Sequence, residues 1–66
     1  MADLMTTAEV AEMFRTSPET VRYWRFTGTG PAAAKVGTRV LYRRADVLAW
    51  ADAKWRADQE RLAGAR

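Results

Sequence analysis

One stretch decides the fold: Ser17-Pro18-Glu19-Thr20-Val21-Arg22-Tyr23-Trp24-Arg25-Phe26-Thr27-Gly28, which carries signals for both the start and the end of a short helix. Ser17 is a good N-cap, Pro18 suits the first helical position because its missing N–H would be unsatisfied there, and Gly28 is a natural left-handed stop. At about 100° per residue, Val21 and Trp24 share one face of the helix. The opposite face carries Glu19, Arg22, Tyr23 and Phe26. The stretch therefore predicts a helix that packs on one side and displays side chains on the other.

A second helix precedes this one at close range. After a short lead-in, Met1 to Met5, the run Thr6-Thr7-Ala8-Glu9 has the form of a capping box, which predicts a helix over about Thr7 to Phe14. Its apolar contacts are Val10, Ala11, Met13 and Phe14. Because Arg15-Thr16-Ser17 is too short a turn for parallel packing, the two helices are expected to cross steeply. This is the spacing of a helix-turn-helix.

The residues after Gly28 favour a small β-hairpin, or wing. Thr29-Gly30-Pro31 breaks the helix, and Ala32-Ala33-Ala34 reads as an extended approach. Between Val36 and Tyr42, β-branched and aromatic residues flank Gly37-Thr38, and glycine first in a two-residue loop suits a type II′ turn. Only one strand face can be buried, and we assign Val40 and Tyr42 to it, with Arg39 and Leu41 on the other.

A third helix is expected to open at Ala45-Asp46, where the carboxylate suits the positive end of the helix dipole. Its packing stripe is Val47, Trp50, Ala51 and the stem of Lys54, with Leu48 and Trp55 at the margins. The sequence thus predicts a mainly α fold with a small β-hairpin, a winged helix-turn-helix. It forms one domain over residues 1–66, with a core at about 4–52 and a helical extension and tail at 53–66.

Size and composition exclude several classes of function. A chain of 66 residues must draw its core from a few large side chains, of which Trp24, Trp50 and Tyr42 are the expected anchors. The absence of cysteine and histidine removes disulfides, thiolate zinc and the commonest general base. We therefore expect no metal, no cofactor and no enzymatic activity. With neither a membrane-spanning apolar run nor a secretory leader, we expect a cytoplasmic protein without a membrane partner.

The positive charge lies in the middle of the chain. Residues 15–44 contain seven basic residues and one acidic residue, whereas residues 1–14 are acidic and residues 45–66 are balanced. A basic centre beside a displayed helix favours a polyanionic partner, although basic residues on a small surface are often only solvated decoration.

The displayed helix suits the major groove of double-stranded DNA. There Arg22 can pair with guanine, Glu19 can accept from cytosine N4, and Tyr23 can meet a phosphate, a sugar or a thymine methyl. Thr38 and Arg39 lie at the hairpin tip, where a narrow minor groove or a phosphate would be met, and further phosphate contacts are expected from Lys35, Arg43 and Arg44. The alternative is an ordinary amphipathic helix with a solvated polar face.

Four aromatic or apolar residues have two interpretations each. Trp24 and Trp50 could stack on bases, as in single-strand binders, but their positions on packing faces favour the core. Trp55 is either a marginal core residue or a contact for a partner chain, and Leu41 is either a subunit contact or a strand former.

Together, five blocks resemble a known family: Thr6-Thr7-Ala8-Glu9-Val10-Ala11, Ser17 to Trp24, Gly28-Thr29-Gly30-Pro31, Lys35-Val36-Gly37 and Tyr42 to Trp50. The chain resembles the excisionase-like, MerR-type winged helix-turn-helix domains of phages and mobile elements, over roughly residues 4 to 51. The family often has basic residues at the positions of Tyr23 and Thr38, a polar one at Leu41 and serine at Ala45.

The resemblance implies a role for each matching residue. The second helix would enter the major groove, with base contacts from Glu19, Thr20, Arg22 and Tyr23. The wing would touch the adjacent minor groove or backbone through Arg39, with backbone contacts from Ser17, Arg25, Lys35 and Arg43. Several copies would bind neighbouring sites.

The leading functional hypothesis is a phage excisionase, a small protein that binds repeated DNA sites cooperatively, bends them and directs an integrase toward excision. Its partners would be double-stranded DNA, other copies of itself and a phage integrase, on the nucleoid of a bacterial host. A transcription regulator of the same fold is the second hypothesis, with Trp55 to Leu62 as its dimerisation helix. A protein-interaction module that does not bind DNA is the third.

Overall fold

The computed structural model describes residues 3–64, so expectations for Met1, Ala2, Ala65 and Arg66 lie outside it. The elements follow the order β1 (Leu4–Thr6), α1 (Thr7–Met13), α2 (Pro18–Thr27), β2 (Ala33–Val36), β3 (Arg39–Arg43) and α3 (Arg44–Gly64). The predicted fold class is confirmed: the chain is mainly α, with a β-hairpin wing formed by β2 and β3.

The helix-turn-helix is held by capping at every end. Thr6 and Glu9 form the expected capping box, with the Thr6 N–H donating to Glu9 Oε1 at 2.9 Å. The two helices also end in the same way, since the N–H of Thr16 donates to the Ala11 carbonyl and that of Thr29 to the Trp24 carbonyl, each at 2.9 Å. This is the Schellman pattern, which needs one residue in the left-handed region.

That left-handed residue is Gly28 after α2, as predicted, with φ 75°. After α1 it is Arg15, with φ 56°, a conformation in which a side chain costs free energy and which sequence reasoning did not anticipate.

Residues 4–6 form a strand, so the prediction of a lead-in over Met1 to Met5 is wrong at Leu4 and Met5. The sheet order is β1-β3-β2, antiparallel throughout, and Met5 pairs with Tyr42 in the centre. Met5 is buried there together with Tyr42. Three residues are too few to show the alternation that identifies a strand from sequence.

The hairpin has the expected two-residue loop. Val36 pairs with Arg39 across it, and of the two loop residues Gly37 and Thr38 only Gly37 has positive φ, at 64°, as a type II′ turn requires. The expected face assignment holds for Tyr42, which is fully buried, and for Val40, which packs half-buried against the core. Leu41 is also half-buried, because β1 places Thr6 on one side of it and β2 places Ala34 on the other.

The core lies between the helix-turn-helix, the sheet and the start of α3. Its fully or nearly fully buried side chains are Met5, Val10, Ala11, Val21, Tyr42 and Val47. Beside them Phe14, Trp24 and Trp50 form an aromatic cluster with ring centroids 5.1 to 6.1 Å apart. Trp24 and Trp50 are therefore packing residues, as the size of the chain favoured.

One apolar assignment in α1 is wrong: Met13 is exposed. It is the last residue of the helix, and Phe14, in the C-cap position, makes the aromatic contacts instead.

Helix α3 begins one residue earlier than expected and continues to Gly64. Val47 is buried, Trp50 and Ala51 are half-buried, and the Lys54 ammonium lies 5.9 Å from the Trp50 ring centroid, so the predicted stripe is confirmed. From Asp52 to Gly64 every residue is exposed. Within residues 3–64, no helix combines the length and the apolar character that crossing a membrane demands.

Gly30 provides a test of the packing around Trp24. A Cβ added at Gly30 would lie 2.7 Å from the Trp24 Cβ, an atom too close to the helix backbone to move aside. We expect Gly30→Ala to lower the free energy of unfolding by about 1–3 kcal/mol, as overpacking does, in urea denaturation followed by circular dichroism. Gly64→Ala is the matched control, because its added Cβ meets nothing within 4 Å. Equal stability of the two variants would contradict the close approach.

Tyr42 provides a second test. Its ring is fully buried, and within residues 3–64 its hydroxyl has no hydrogen-bond partner. Since an unsatisfied buried hydroxyl costs free energy, Tyr42→Phe should raise the free energy of unfolding by about 1 kcal/mol. The exposed Tyr23, changed to Phe, should leave stability unchanged. A lower stability of Tyr42→Phe would show that the hydroxyl is satisfied.

Candidate nucleic-acid interface

Helix α2 displays the face that its sequence predicts. Val21 is fully buried and Trp24 half-buried, while Glu19, Arg22 and Tyr23 are exposed on the other side. Tyr23 is 64% exposed and Phe26 is 88% exposed, a large fraction for an aromatic ring in so small a domain. Buried residues fix the helix, and the displayed side chains are free to contact a ligand.

The first turn of α2 is ordered by two of the predicted contact residues. Ser17 Oγ accepts a hydrogen bond from the Thr20 N–H at 3.2 Å and lies 2.9 Å from Thr20 Oγ1. Ser17 is exposed and Thr20 half-buried. Both hydroxyls therefore stabilise the helix start, and each keeps further hydrogen-bonding capacity toward solvent.

The two faces of the wing carry different basic residues. Lys35 pairs with Val40 in the β2–β3 register, so both side chains project from the face that also carries Tyr42. Arg39 and Arg43 project from the other face, with Leu41. Thr38 and Arg39 are exposed at the tip, as expected.

A cleft separates α2 from the wing. It has a volume of about 330 Å³ and is lined by Thr7, Arg22, Arg25, Phe26 and Val40, and we call it the helix-wing cleft. Two of the five lining residues are arginines and none is acidic. At about 100° per residue, Arg25 and Arg22 lie on the wing side of α2 and Tyr23 on the far side. The structure thus brings Arg22, Arg25 and the Lys35 face of the wing together.

Arg43 is not part of this group. It lines a different cleft, of about 370 Å³, on the outer face of the sheet with Leu4, Leu41 and Asp46. The predicted contact residues therefore divide into a set around α2 and the cleft, a pair at the wing tip, and Arg43 apart from both.

In the described part of the chain, residues 3–64, the basic residues around α2 and the wing form no ion pair with a carboxylate. Within residues 3–64 the ion pairs are Asp52 with Arg56, at 3.1 Å, and Asp58 with Arg61, and both lie on the exposed part of α3. The positive charge predicted for the middle of the chain is consequently available to an anionic partner.

Residues 4–54 match the family model of a helix-turn-helix domain. The chain belongs to this helix-turn-helix family. The matched region begins at the first residue of β1 and includes α2, the wing and the packed part of α3. No match was found among curated proteins.

Membership of the helix-turn-helix family indicates a role for the exposed face of α2. In a helix-turn-helix domain the second helix is the one that enters the DNA major groove, so the family indicates DNA binding. Such domains are typically not enzymes. Within residues 3–64 there is no cluster of acidic side chains suited to holding a metal ion.

Sequence reasoning placed Phe26 on the displayed face but not among the contact residues, and it did not find the helix-wing cleft. The signal was present, since Phe26 follows Glu19 by seven residues and Arg22 by four, which puts all three on one stripe. The position of the wing beside that stripe depends on the fold of residues 28–36 and has no signal in the helix itself.

Proposed function

We propose that this helix-turn-helix domain binds double-stranded DNA in a sequence-specific manner, with α2 in the major groove and the wing on the neighbouring backbone or minor groove. The observation that supports this most directly is the exposure of Glu19, Arg22 and Tyr23 on one face of α2, beside basic residues that have no carboxylate partner within residues 3–64.

The residues take different roles in this proposal. Base edges are contacted from α2, by Arg22 on guanine, Glu19 on cytosine N4, Tyr23 on a thymine methyl or sugar, and Thr20 at the start of the helix. Thr38 and Arg39 meet the minor groove at the wing tip. Phosphates are contacted by Ser17, Arg25, Lys35 and Arg43, of which Arg43 needs DNA that reaches the outer face of the sheet.

We further propose an excisionase role, in which copies bind adjacent repeated sites, bend the DNA and direct a phage integrase toward excision on the bacterial nucleoid. The resemblance of five sequence blocks to excisionase-like domains supports this. So does the size of the domain, because one short helix and one wing contact few base pairs. Linking neighbouring copies on DNA compensates for weak binding at a single site.

A second candidate is a transcription regulator that dimerises through α3. Leu48, Trp55 and Leu62 are all exposed and follow one another at seven-residue spacing, so they form one apolar stripe along the helix. Trp55 is 69% exposed, which suits a contact with a second copy.

The response to salt tests DNA binding itself. A protein that neutralises several phosphates loses affinity steeply as salt rises. In a plot of the logarithm of the binding constant against the logarithm of the salt concentration, the slope is about −0.9 per phosphate contact. We expect Lys35→Ala to weaken binding to all sequences alike and to reduce the magnitude of this slope by about one.

Arg22→Ala should cost about 1–3 kcal/mol of binding free energy on the specific duplex and relax specificity at one base pair. Fluorescence anisotropy on a duplex selected from a randomised library, and on a scrambled duplex, measures both.

Two outcomes would contradict the proposal. If the wild-type protein binds no duplex at low salt, the domain is a protein-interaction module instead. If Arg22→Ala and Lys35→Ala behave alike on specific and scrambled DNA, α2 does not read bases through Arg22.

The two candidate roles differ in how copies associate. An excisionase should fill two adjacent sites cooperatively and bend them, as measured by gel shift on tandem and circularly permuted fragments. The double variant Trp55→Ala, Leu62→Ala should leave binding to a single site unchanged, because an excisionase needs no dimer in solution to bind one site. For a regulator the same variant should lose both dimerisation and DNA binding. A single, unbent and non-cooperative complex would exclude the excisionase role.

A further inference from the structure

We infer that the helix-wing cleft seats the sugar-phosphate backbone of one DNA strand, with Phe26 as an apolar contact to deoxyribose. This inference rests on the proposed function, since it assigns a ligand to a site that lies between the two DNA-contacting elements.

A major groove and the minor groove next to it are separated by a single sugar-phosphate strand. If α2 occupies the major groove and the wing reaches the minor groove, whatever lies between α2 and the wing faces that strand. The helix-wing cleft is the concavity at this place, bounded by α2 on one side and by Val40 of β3 on the other.

The lining of the cleft matches the chemistry of a backbone. Arg25 provides a guanidinium group for a phosphate and Thr7 provides a hydroxyl, while Arg22, the proposed guanine contact, adds positive charge to the same lining. Lys35, on the same wing face as Val40, adds a further positive charge beside it. Phosphodiesters alternate with deoxyriboses, whose carbon-bound faces are apolar, and Phe26 and Val40 offer apolar surface between the cations. A cleft built only for phosphate would not need an aromatic ring.

Phe26 is exposed to solvent and lies on the side of α2 that faces the wing. Phe26 is 88% exposed and contributes little to the core, so its ring is free to contact a ligand. Tyr23, the other exposed aromatic residue of α2, lies outside the cleft lining, on the side of the helix away from the wing. Phe26 therefore lies on the wing side of the displayed face, where the strand would pass, and Tyr23 lies on the side away from the wing.

The test compares Phe26→Ala with Tyr23→Ala and Arg25→Ala on the selected duplex and on scrambled DNA, over a range of salt concentrations. Phe26→Ala should lower affinity about fivefold to tenfold on both duplexes, because every sequence has the same sugars, as expected for loss of part of an aromatic burial. Its salt slope should stay at the wild-type value, because no phosphate contact is lost. Arg25→Ala should reduce the slope by about one. Tyr23→Ala should act mainly on the selected duplex.

Other results would overturn the inference while leaving DNA binding intact. If Phe26→Ala binds both duplexes like the wild type, the ring does not contact the strand. If its loss is confined to the selected duplex and disappears when thymines are replaced by deoxyuridine, Phe26 reads a thymine methyl in the groove. Thermal unfolding should be unchanged in Phe26→Ala, and Phe26→Leu, which keeps an apolar side chain, should recover part of the affinity. A wild-type protein that binds no duplex would instead refute the proposed function.

Discussion

The distance between α2 and the wing depends on how the loop at residues 28–32 is held. Trp50 donates its indole N–H to the Thr29 carbonyl at 3.0 Å, which ties α3 to this loop. Directly after it, Gly30 lies against Trp24 so closely that no side chain fits. The loop is therefore fixed from α2 on one side and from α3 on the other, and β2 starts at a defined place. The relative position of α2 and the wing, the two proposed DNA-contacting elements, therefore depends on Trp24 and Trp50.

Most of the helix-turn-helix was predictable because its signals are local. Ser17, Pro18 and Gly28 mark the ends of α2, Thr6 and Glu9 mark the start of α1, and each acts within four residues of chain. The strand at Leu4–Thr6 was not predictable, because it exists only through pairing with Arg39–Arg43, more than thirty residues away. The helix-wing cleft was missed for the same reason: α2 and β3 were each found, but their approach is set by contacts distant in sequence.

Charged residues are paired on α3 but unpaired around α2 and the wing, within residues 3–64. On α3 the acidic and basic residues form ion pairs one helical turn apart, which solvent exposure makes weak. Around α2 and the wing, the arginines and Lys35 have no such partner within residues 3–64. Unpaired like charges on one side of a small domain repel one another and lower its stability slightly. A polyanionic ligand would neutralise these charges and remove their mutual repulsion.

The core and the displayed face of α2 are made by different side chains. The fully buried core is made chiefly by Val10, Val21, Tyr42 and Val47, whereas the side chains on the displayed face of α2 are exposed. In the proposed DNA complex, substitutions at Glu19, Arg22 or Tyr23 should therefore alter which bases are preferred with little effect on folding. Gly30 and the tryptophans have no such freedom, because a shift in the loop would move the wing relative to α2. In the proposed complex, specificity depends on the exposed side chains of α2, and the ability to span two grooves depends on the packing that holds the wing beside it.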